Sequence, residues 1–296
     1  MSWLIVGTVP YRDFPLLDVE CSESNGLLRL GSESVPIARG TPALIATACM
    51  VADVIGIERP RALLAGDIGR GDGSRKVYDR LVRTMADRGE GLLVFHYLQP
   101  ELDWHNRILM KIEVLDQAPT LVADAGFMYV AKMSGFSSSY DLFTPDVGEL
   151  AFLADESAPH PFYTRGFLLQ EEEGVPQLIA RAYEHQNAAR FLLVKGACDY
   201  VASSSGILGK VCEPCVEAME PIGGTGDSLT GIVSTLVASG VPIDDAALTA
   251  ARINRVLGLI ANPNPASSIA NLLPSLPAAI EAVQSRNTPE SSSTSV

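Results

Sequence analysis

With 296 residues, 47% of them apolar and 19% charged, the chain has the balance of a globular protein that can bury a sizeable core, not that of a disordered one. Its formal net charge of −13 excludes nucleic acid as a partner, because a phosphate backbone is met by clustered Lys and Arg, but leaves room for a local cationic pocket around a small phosphorylated ligand. Met1 to Pro10 lack the basic region of a secretory signal, and the longest apolar stretch, Ala43 to Ile57, is broken by Asp53 and too short for a bilayer, so a cytoplasmic protein with no membrane partner is expected.

Short apolar runs alternate with amphipathic stretches along the chain, which predicts strands interleaved with helices. Strands are expected at Trp3–Val6, Ala62–Ala65, Gly91–Phe95, Thr120–Ala123 and Phe191–Val194. Between them Val77, Leu81, Val82 and Met85 share one helical face, as do Leu178, Ile179, Ala182 and Tyr183, with Pro176 suited to a first turn. Parallel strands joined by helices give a central sheet covered on both faces. Two β-like runs around Ser203-Ser204-Ser205-Gly206 predict a hairpin within Asp199–Val211. Consecutive helices follow at Asp227–Ser239 and Asp244–Ile260, then a helical stretch around Ser267–Val283 divided or kinked by Pro274 and Pro277. No repeat or linker divides the chain, so one α/β domain is expected over 1–286, with a disordered Ser/Thr-rich tail over 287–296. Glu171-Glu172-Glu173 reads as an exposed acidic face.

Five cysteines, an odd number in a large chain, argue against a disulfide framework. Cys212-Glu213-Pro214-Cys215 has the spacing of half a zinc ribbon or of a redox pair; without a second such pair, two reduced thiols in a loop are the expectation.

The strongest local signal is Gly223-Gly224-Thr225-Gly226-Asp227-Ser228-Leu229-Thr230-Gly231. Glycines let a backbone turn sharply and approach an anion, and the amides that open the following helix have no partner within it. Gly224, Thr225 and Gly226 therefore form a candidate anion hole for a phosphoryl group. A carboxylate repels phosphate, so Asp227 makes sense as a base taking a proton from a substrate hydroxyl beside that hole. The same residues also read as a plain glycine turn with Asp227 as a helix cap. No Lys-Ser/Thr pair follows, so this is not a Walker A loop.

That signature resembles the one carried by the ADP/ATP-dependent NAD(P)H-hydrate dehydratases, a carbohydrate-kinase-like branch of the ribokinase superfamily. Four further segments are similar in the same order: Ala65-Gly66-Asp67-Ile68-Gly69, Val122-Ala123-Asp124-Ala125, Phe143-Thr144-Pro145-Asp146-Val147-Gly148-Glu149, and Val194-Lys195-Gly196-Ala197. The resemblance implies a ribokinase-like three-layer αβα sandwich with a mostly parallel central sheet. It implies ADP or ATP as cofactor, with Mg²⁺ expected alongside, and a nucleotide lying near Lys195, Gly196 and Gly223. It implies Asp227 as the acid/base residue and hydrated NAD(P)H as a small-molecule substrate, dehydrated with release of phosphate. An ordinary small-alcohol kinase would use the same base and anion hole, and a catalytically silent nucleotide-binding protein would keep the same fold. Substrate-side positions fall to Gly66, Asp67, Gly69, Asp124, Thr144, Asp146 and Glu149. Where the family has other residues, this chain has Val122, Phe127, Asp146 and Cys198, so the phosphate machinery is retained while the substrate side is altered.

Several of these residues admit a second reading. Gly66 to Gly73 follows a strand and precedes a helix, so it could cradle a second phosphate or a dinucleotide with Arg70 adding charge, or be only a flexible connection. Asp124 and Glu149 could hold Mg²⁺ through water, or be solvated or capping carboxylates. Lys195 reaches either a phosphate or solvent, and Thr144-Pro145 is at least a turn. A homo-oligomer is compatible with all of this.

Overall fold

The computed structural model describes residues 1–158 and 174–287. The expected acidic face at Glu171–Glu173 and the tail beyond Asn287 lie outside the described residues.

The first strand, β1 (Trp3–Val9), is buried throughout and largely apolar because it runs through the middle of the sheet with both faces covered. Its side chains alternate between two cores. Trp3 and Ile5 join one cluster, and Leu4 and Val6 the other. Three antiparallel strands follow, β2 (Leu17–Ser24), β3 (Leu27–Leu30) and β4 (Glu33–Pro36), ahead of α1 (Thr41–Ile55). Then strands and helices alternate as the periodicity predicts: β5 (Arg61–Gly66), α2 (Asp72–Thr84), β6 (Leu92–His96), α3 (Leu102–Glu113), β7 (Thr120–Ala123), α4 (Gly126–Met133), β8 (Leu142–Phe143) and α5 (Val147–Ala154). After the undescribed segment come α6 (Gly174–Glu184), β9 (Phe191–Val194), β10 (Asp199–Ser203), β11 (Gly206–Val211), α7 (Thr225–Ala238), α8 (Ile243–Ala261), α9 (Ile269–Leu272) and α10 (Leu276–Asn287).

All eleven described strands form one sheet in the order β11-β10-β9-β8-β7-β6-β1-β5-β2-β3-β4. From β5 to β9 the neighbours are parallel; the pairs outside that block are antiparallel. Helices α1, α7, α8 and α10 pack on one face and α2 to α6 on the other, which makes the three-layer sandwich. Gly231 of α7 permits the close approach of α1, since a Cβ there would lie 2.6 Å from the Leu44 carbonyl oxygen. Chain order reverses around β1, with β5 on one side and β6 on the other. Crevices outside the carboxyl ends of strands at such a reversal are where ligands bind in open α/β sheets.

Two expectations need correction. The run Leu17–Pro36 forms three strands that the apolar pattern did not announce, because they are only partly buried and mix polar with apolar residues. Cys212 is not a free thiol: it forms a disulfide with Cys198, while Cys215 is free and exposed. The cause is the hairpin register. Asp199 of β10 pairs with Val211 of β11, so the next residues outward, Cys198 and Cys212, face each other with Cα atoms 4.2 Å apart.

Candidate active site

Six strand ends deliver the site. Thr8 comes from β1, Asp67 follows β5, His96 closes β6, Asp124 follows β7, Thr144 follows β8 and Lys195 follows β9. Across from them stands the amino terminus of α7. Gly224 caps it with φ of 100°, a left-handed backbone that favours glycine, and no side chain caps the helix. Its first helical bond runs from the Ser228 N–H to the Gly224 carbonyl, so the amides of Thr225, Gly226 and Asp227 precede the helical ladder. The Lys195 side chain lies along this turn, its Nζ 3.7 Å from where a Gly226 Cβ would be. Helix dipole, open amides and ammonium converge on one point, which is what an incoming phosphoryl group needs.

Asp227 sits in the first turn of α7 with 13% of its side chain exposed. Its Oδ2 accepts the Gly40 N–H at 2.6 Å, and its Oδ1 lies 3.0 Å from Nε2 of His96. A carboxylate only accepts, so Nε2 carries the proton, and Nδ1 faces the Thr41 hydroxyl at 2.9 Å. Burial pushes the Asp227 pKa up, but the hydrogen bond and charge of His96, the Lys195 charge and the Gly40 amide outweigh it, holding the carboxyl below the ordinary value. It is an ionised acceptor at neutral pH. The alternative of a helix cap does not hold, since no side-chain cap is present on α7.

Asp124 is the second buried carboxylate, 2% exposed. Lys195 donates to both its oxygens at 2.9 and 3.1 Å, Thr230 to Oδ2 at 2.6 Å, and the Ala125 amide to Oδ1 at 2.8 Å. Burial lowers the Lys195 pKa, yet Asp124 and Glu149 more than restore it, so the ammonium stays charged. Thr144 is buried with its hydroxyl 3.1 Å from that of Thr230, and since Thr230 gives its proton to Asp124, Thr144 is the donor of this pair and positions Asp124's partner. His96, Asp124 and Asp227 bring one possible ligand atom each within 4.8 Å of one another. An imidazole with two carboxylates is a donor set for transition metals more than for Mg²⁺, and here these atoms already bond Lys195, Gly40 and each other.

The remaining predicted residues divide cleanly. Asp146 caps α5, with Glu149 completing a capping box: the Glu149 N–H donates to Asp146, and the Asp146 N–H to Glu149. Glu149 also accepts from the Tyr129 hydroxyl. Burial pushes its pKa up to about 7, Lys195 opposing and Asp124 and Asp146 adding to the rise. Gly196 donates to Asp199, and buried Arg255 binds Asp199 together with the carbonyls of Gly196, Ala197 and Cys212, which fixes the turn after Lys195. Gly223 is exposed beside the Arg39 side chain.

The loop after β5 is not an open phosphate cradle. Asp67 fills it, accepting from the amides of Gly69, Arg70, Gly71 and Ser74 and from the Ser74 hydroxyl. Burial raises the Asp67 pKa but these bonds bring it below the ordinary value. Gly66 is needed for packing, because a Cβ there would lie 1.9 Å from the Tyr11 carbonyl oxygen.

His96, Gly40 and Thr41 were not read from the sequence. A signal existed for His96: it directly follows the predicted strand Gly91–Phe95, at a carboxyl end, where Asp124 and Lys195 stand on their own strands. Tyr97 and Ala125, the residues just beyond His96 and Asp124, hold left-handed backbones with φ of 49° and 51°, strain that clusters at functional sites.

A sheet of this order with its site at the strand ends defines a ribokinase-like α/β protein. The fold is shared with the pyridoxal kinase of Staphylococcus aureus in complex with ADP (TM-score 0.56, 10% identity, 86% of this chain and 87% of that one). It is shared as well with the phosphofructokinase-2 of Escherichia coli in complex with potassium (0.55, 12%, 95% and 99%) and a ribokinase-like superfamily protein of Enterococcus faecalis (0.58, 13%, 95% and 87%). The family profile described as NAD(P)H-hydrate dehydratase matches residues 100–277, and the chain belongs to that family. An uncharacterized protein of Methanocaldococcus jannaschii is 42% identical over 222 residues, 75% of this chain and 91% of the relative. Asp124, Lys195 and Asp227 lie inside the family match, and Gly40, Thr41 and His96 outside it. Among the described residues no helix is long and apolar enough to cross a membrane.

Proposed function

We propose that the protein is a nucleotide-dependent enzyme that dehydrates hydrated NADH or NADPH. The observation that carries this reading is the ionised Asp227 carboxylate standing in the uncapped first turn of α7 beside the Lys195 ammonium. A substrate hydroxyl gives its proton to Asp227 while its oxygen bonds to the terminal phosphorus of ADP or ATP, and the bond to the leaving nucleotide breaks. The amides of Gly224, Thr225 and Gly226 and the Lys195 charge take up the negative charge on the moving group. Lys195, Gly196 and Gly223 border the nucleotide. His96 is a positioning residue, holding Asp227 oriented through Nε2–H. The carbon–oxygen bond of the phosphate ester then breaks, phosphate leaves with the electron pair, and the neighbouring carbon gives up a proton to restore the ring double bond.

Glu149 and Asp124 are the carboxylates that would hold Mg²⁺, since a hard cation takes oxygen donors and the two stand together around Lys195. It would be held there through water and would neutralise phosphate charge.

A kinase of a small alcohol is the second reading, favoured by Gly40, Thr41 and His96 lying outside the family match. The two differ in the fate of phosphate. Hydrated NADH is incubated with ADP or ATP while NADH absorbance and free phosphate are followed. Nucleotide-dependent recovery of both supports the dehydratase, and its absence removes it. Phosphate retained on a member of an alcohol panel selects the kinase, and no transfer in either assay leaves a silent nucleotide-binding protein.

A further inference from the structure

The lip of the cleft beside the turn that opens α7 carries two residues that neither the base nor the anion hole uses. Arg39 directly precedes Gly40, whose amide holds Asp227, and its Cβ, Cδ and Nε lie 3.4 to 3.9 Å from the position of a Gly223 Cβ. The stem is thus pinned on the glycine turn while the residue stays exposed. Tyr97 directly follows His96, meets the His96 ring edge-on at 4.5 Å, and lays its ring against Gly40, Cε2 being 3.4 Å from a Cβ position there. It is 43% exposed and held in its left-handed backbone, its carbonyl bonded by the Thr8 hydroxyl. Burial and the Asp227 charge raise its phenol pKa, with the Arg39 guanidinium opposing from beside the hydroxyl.

Arg39 pairs with no carboxylate among the described residues, and its exposed guanidinium lies beside the Tyr97 hydroxyl and against the glycine turn. A guanidinium fork with an adjacent phenol suits a phosphate group, whose oxygens can accept from both.

We propose that Arg39 and Tyr97 recognise a phosphate group on the hydroxyl-bearing substrate, at the mouth of the site and distinct from the phosphoryl group at α7. This rests on the reading of Asp227 as the base for that hydroxyl. The substrate class is therefore a phosphate-bearing alcohol, with two sources sharing the chemistry: the pyrophosphate of a dinucleotide or the ester of a sugar phosphate. Arg39 selects the substrate from the Gly223 turn that also borders the nucleotide.

The test compares wild type with Arg39→Leu, which keeps the stem, and Tyr97→Phe, which keeps the ring. Calorimetry with NADH and with fructose 6-phosphate, each beside its phosphate-free counterpart (reduced nicotinamide riboside, fructose), reads the contact without turnover. Arg39→Leu is expected to weaken the phosphate-bearing probe of the correct source by about 10- to 100-fold, the scale of a lost charged hydrogen bond. The phosphate-free probe and ADP should move by less than about 2-fold, below the effect of any charged contact. Tyr97→Phe is expected to give a smaller loss with the same selectivity. Weakened ADP binding with unchanged probes would assign Arg39 to the nucleotide and overturn the proposal. Equal loss for probes with and without phosphate, or no loss for either source, overturns it too. Absent turnover in wild type alongside the expected binding pattern would remove the dehydratase reading alone.

Discussion

The two banks of the cleft are held in place by different physics. The bank built from β7 onward fixes its residues by charge in a buried network. Asp124 accepts four hydrogen bonds from three donors, Lys195 is surrounded by carboxylates, and the turn after it is clamped by Arg255. The bank built from β1 to β6 fixes its residues by close backbone approach. A Gly7 Cβ would lie 2.5 Å from the His96 carbonyl oxygen and 2.9 Å from Thr41 Cγ2, and Gly40 meets both Asp227 and Tyr97 through a left-handed backbone. A charged network that must be satisfied tolerates few substitutions, since each partner removed strands another. An exposed lip resting on glycines tolerates changes in the side chains it presents. One bank is suited to constant phosphate chemistry, the other to a variable substrate.

Asp227 touches both banks, so its loss should have the largest effect. Asp227→Asn is expected to lower kcat by about 10²- to 10⁴-fold, the usual contribution of a general base, while ADP affinity measured by calorimetry stays unchanged. Undiminished turnover would dissolve the distinction between the banks, because no shared base would join them.

Next comes a contrast in stability. Lys195→Met leaves Asp124 buried and uncompensated, and should cost about 3–5 kcal/mol in urea unfolding. Adding Asp124→Asn to it should recover part of that loss, as coupled neighbours do. Arg39→Leu, on the exposed bank, should change stability by no more than about 0.5 kcal/mol. Similar losses on both sides would mean that the lip is as structural as the network. A smaller effect tests the glycine approach itself: Gly7→Ala overpacks β1 against His96 and Thr41 and should cost about 1–3 kcal/mol. It should also reduce kcat with little change in nucleotide KM, since it displaces the residue that orients Asp227.

This asymmetry also decides what could be read from the chain. Strands buried on both faces announce themselves as apolar runs, so Thr120–Ala123 and Phe191–Val194 match their predicted bounds. The two-residue β8 and the partly buried strands β2 to β4 carry too little apolar pattern to be seen. In the site, the glycine turn, Asp124 and Lys195 are contiguous with ordered motifs and were legible. His96 reaches Asp227 across 131 positions and Gly40 across 187, and local spacing holds no trace of such meetings. The Gly66–Gly73 loop misled for a related reason. Glycines and a helix start signal an anion site, but only coordinates show that Asp67 itself is the anion.

Glu149 offers the finest test, because it belongs to the charged bank yet is destabilised by it. Its pKa rises from an ordinary 4.5 to about 7, burial leading, with the charges of Asp124 and Asp146 adding and Lys195 opposing. Between these values the folded protein keeps a proton that the unfolded chain has released, so stability falls as pH rises through that window and levels above it. Asp227 acts in the opposite sense: held below its ordinary value, it contributes stability that is lost only as pH falls toward its folded pKa, so it adds no slope in the same window. Glu149→Gln keeps an oxygen for the Asp146 amide or the Tyr129 hydroxyl and removes the titration. Urea midpoints measured at about pH 5 and about pH 8 should therefore differ less for the variant than for wild type, with the variant the more stable at the higher pH. Mg²⁺ added to wild type should flatten the slope in the same way if it is held beside Glu149, since a cation favours the ionised carboxylate. A slope that survives Glu149→Gln would place the titrating group elsewhere, and a slope unmoved by Mg²⁺ would separate the cation from this carboxylate.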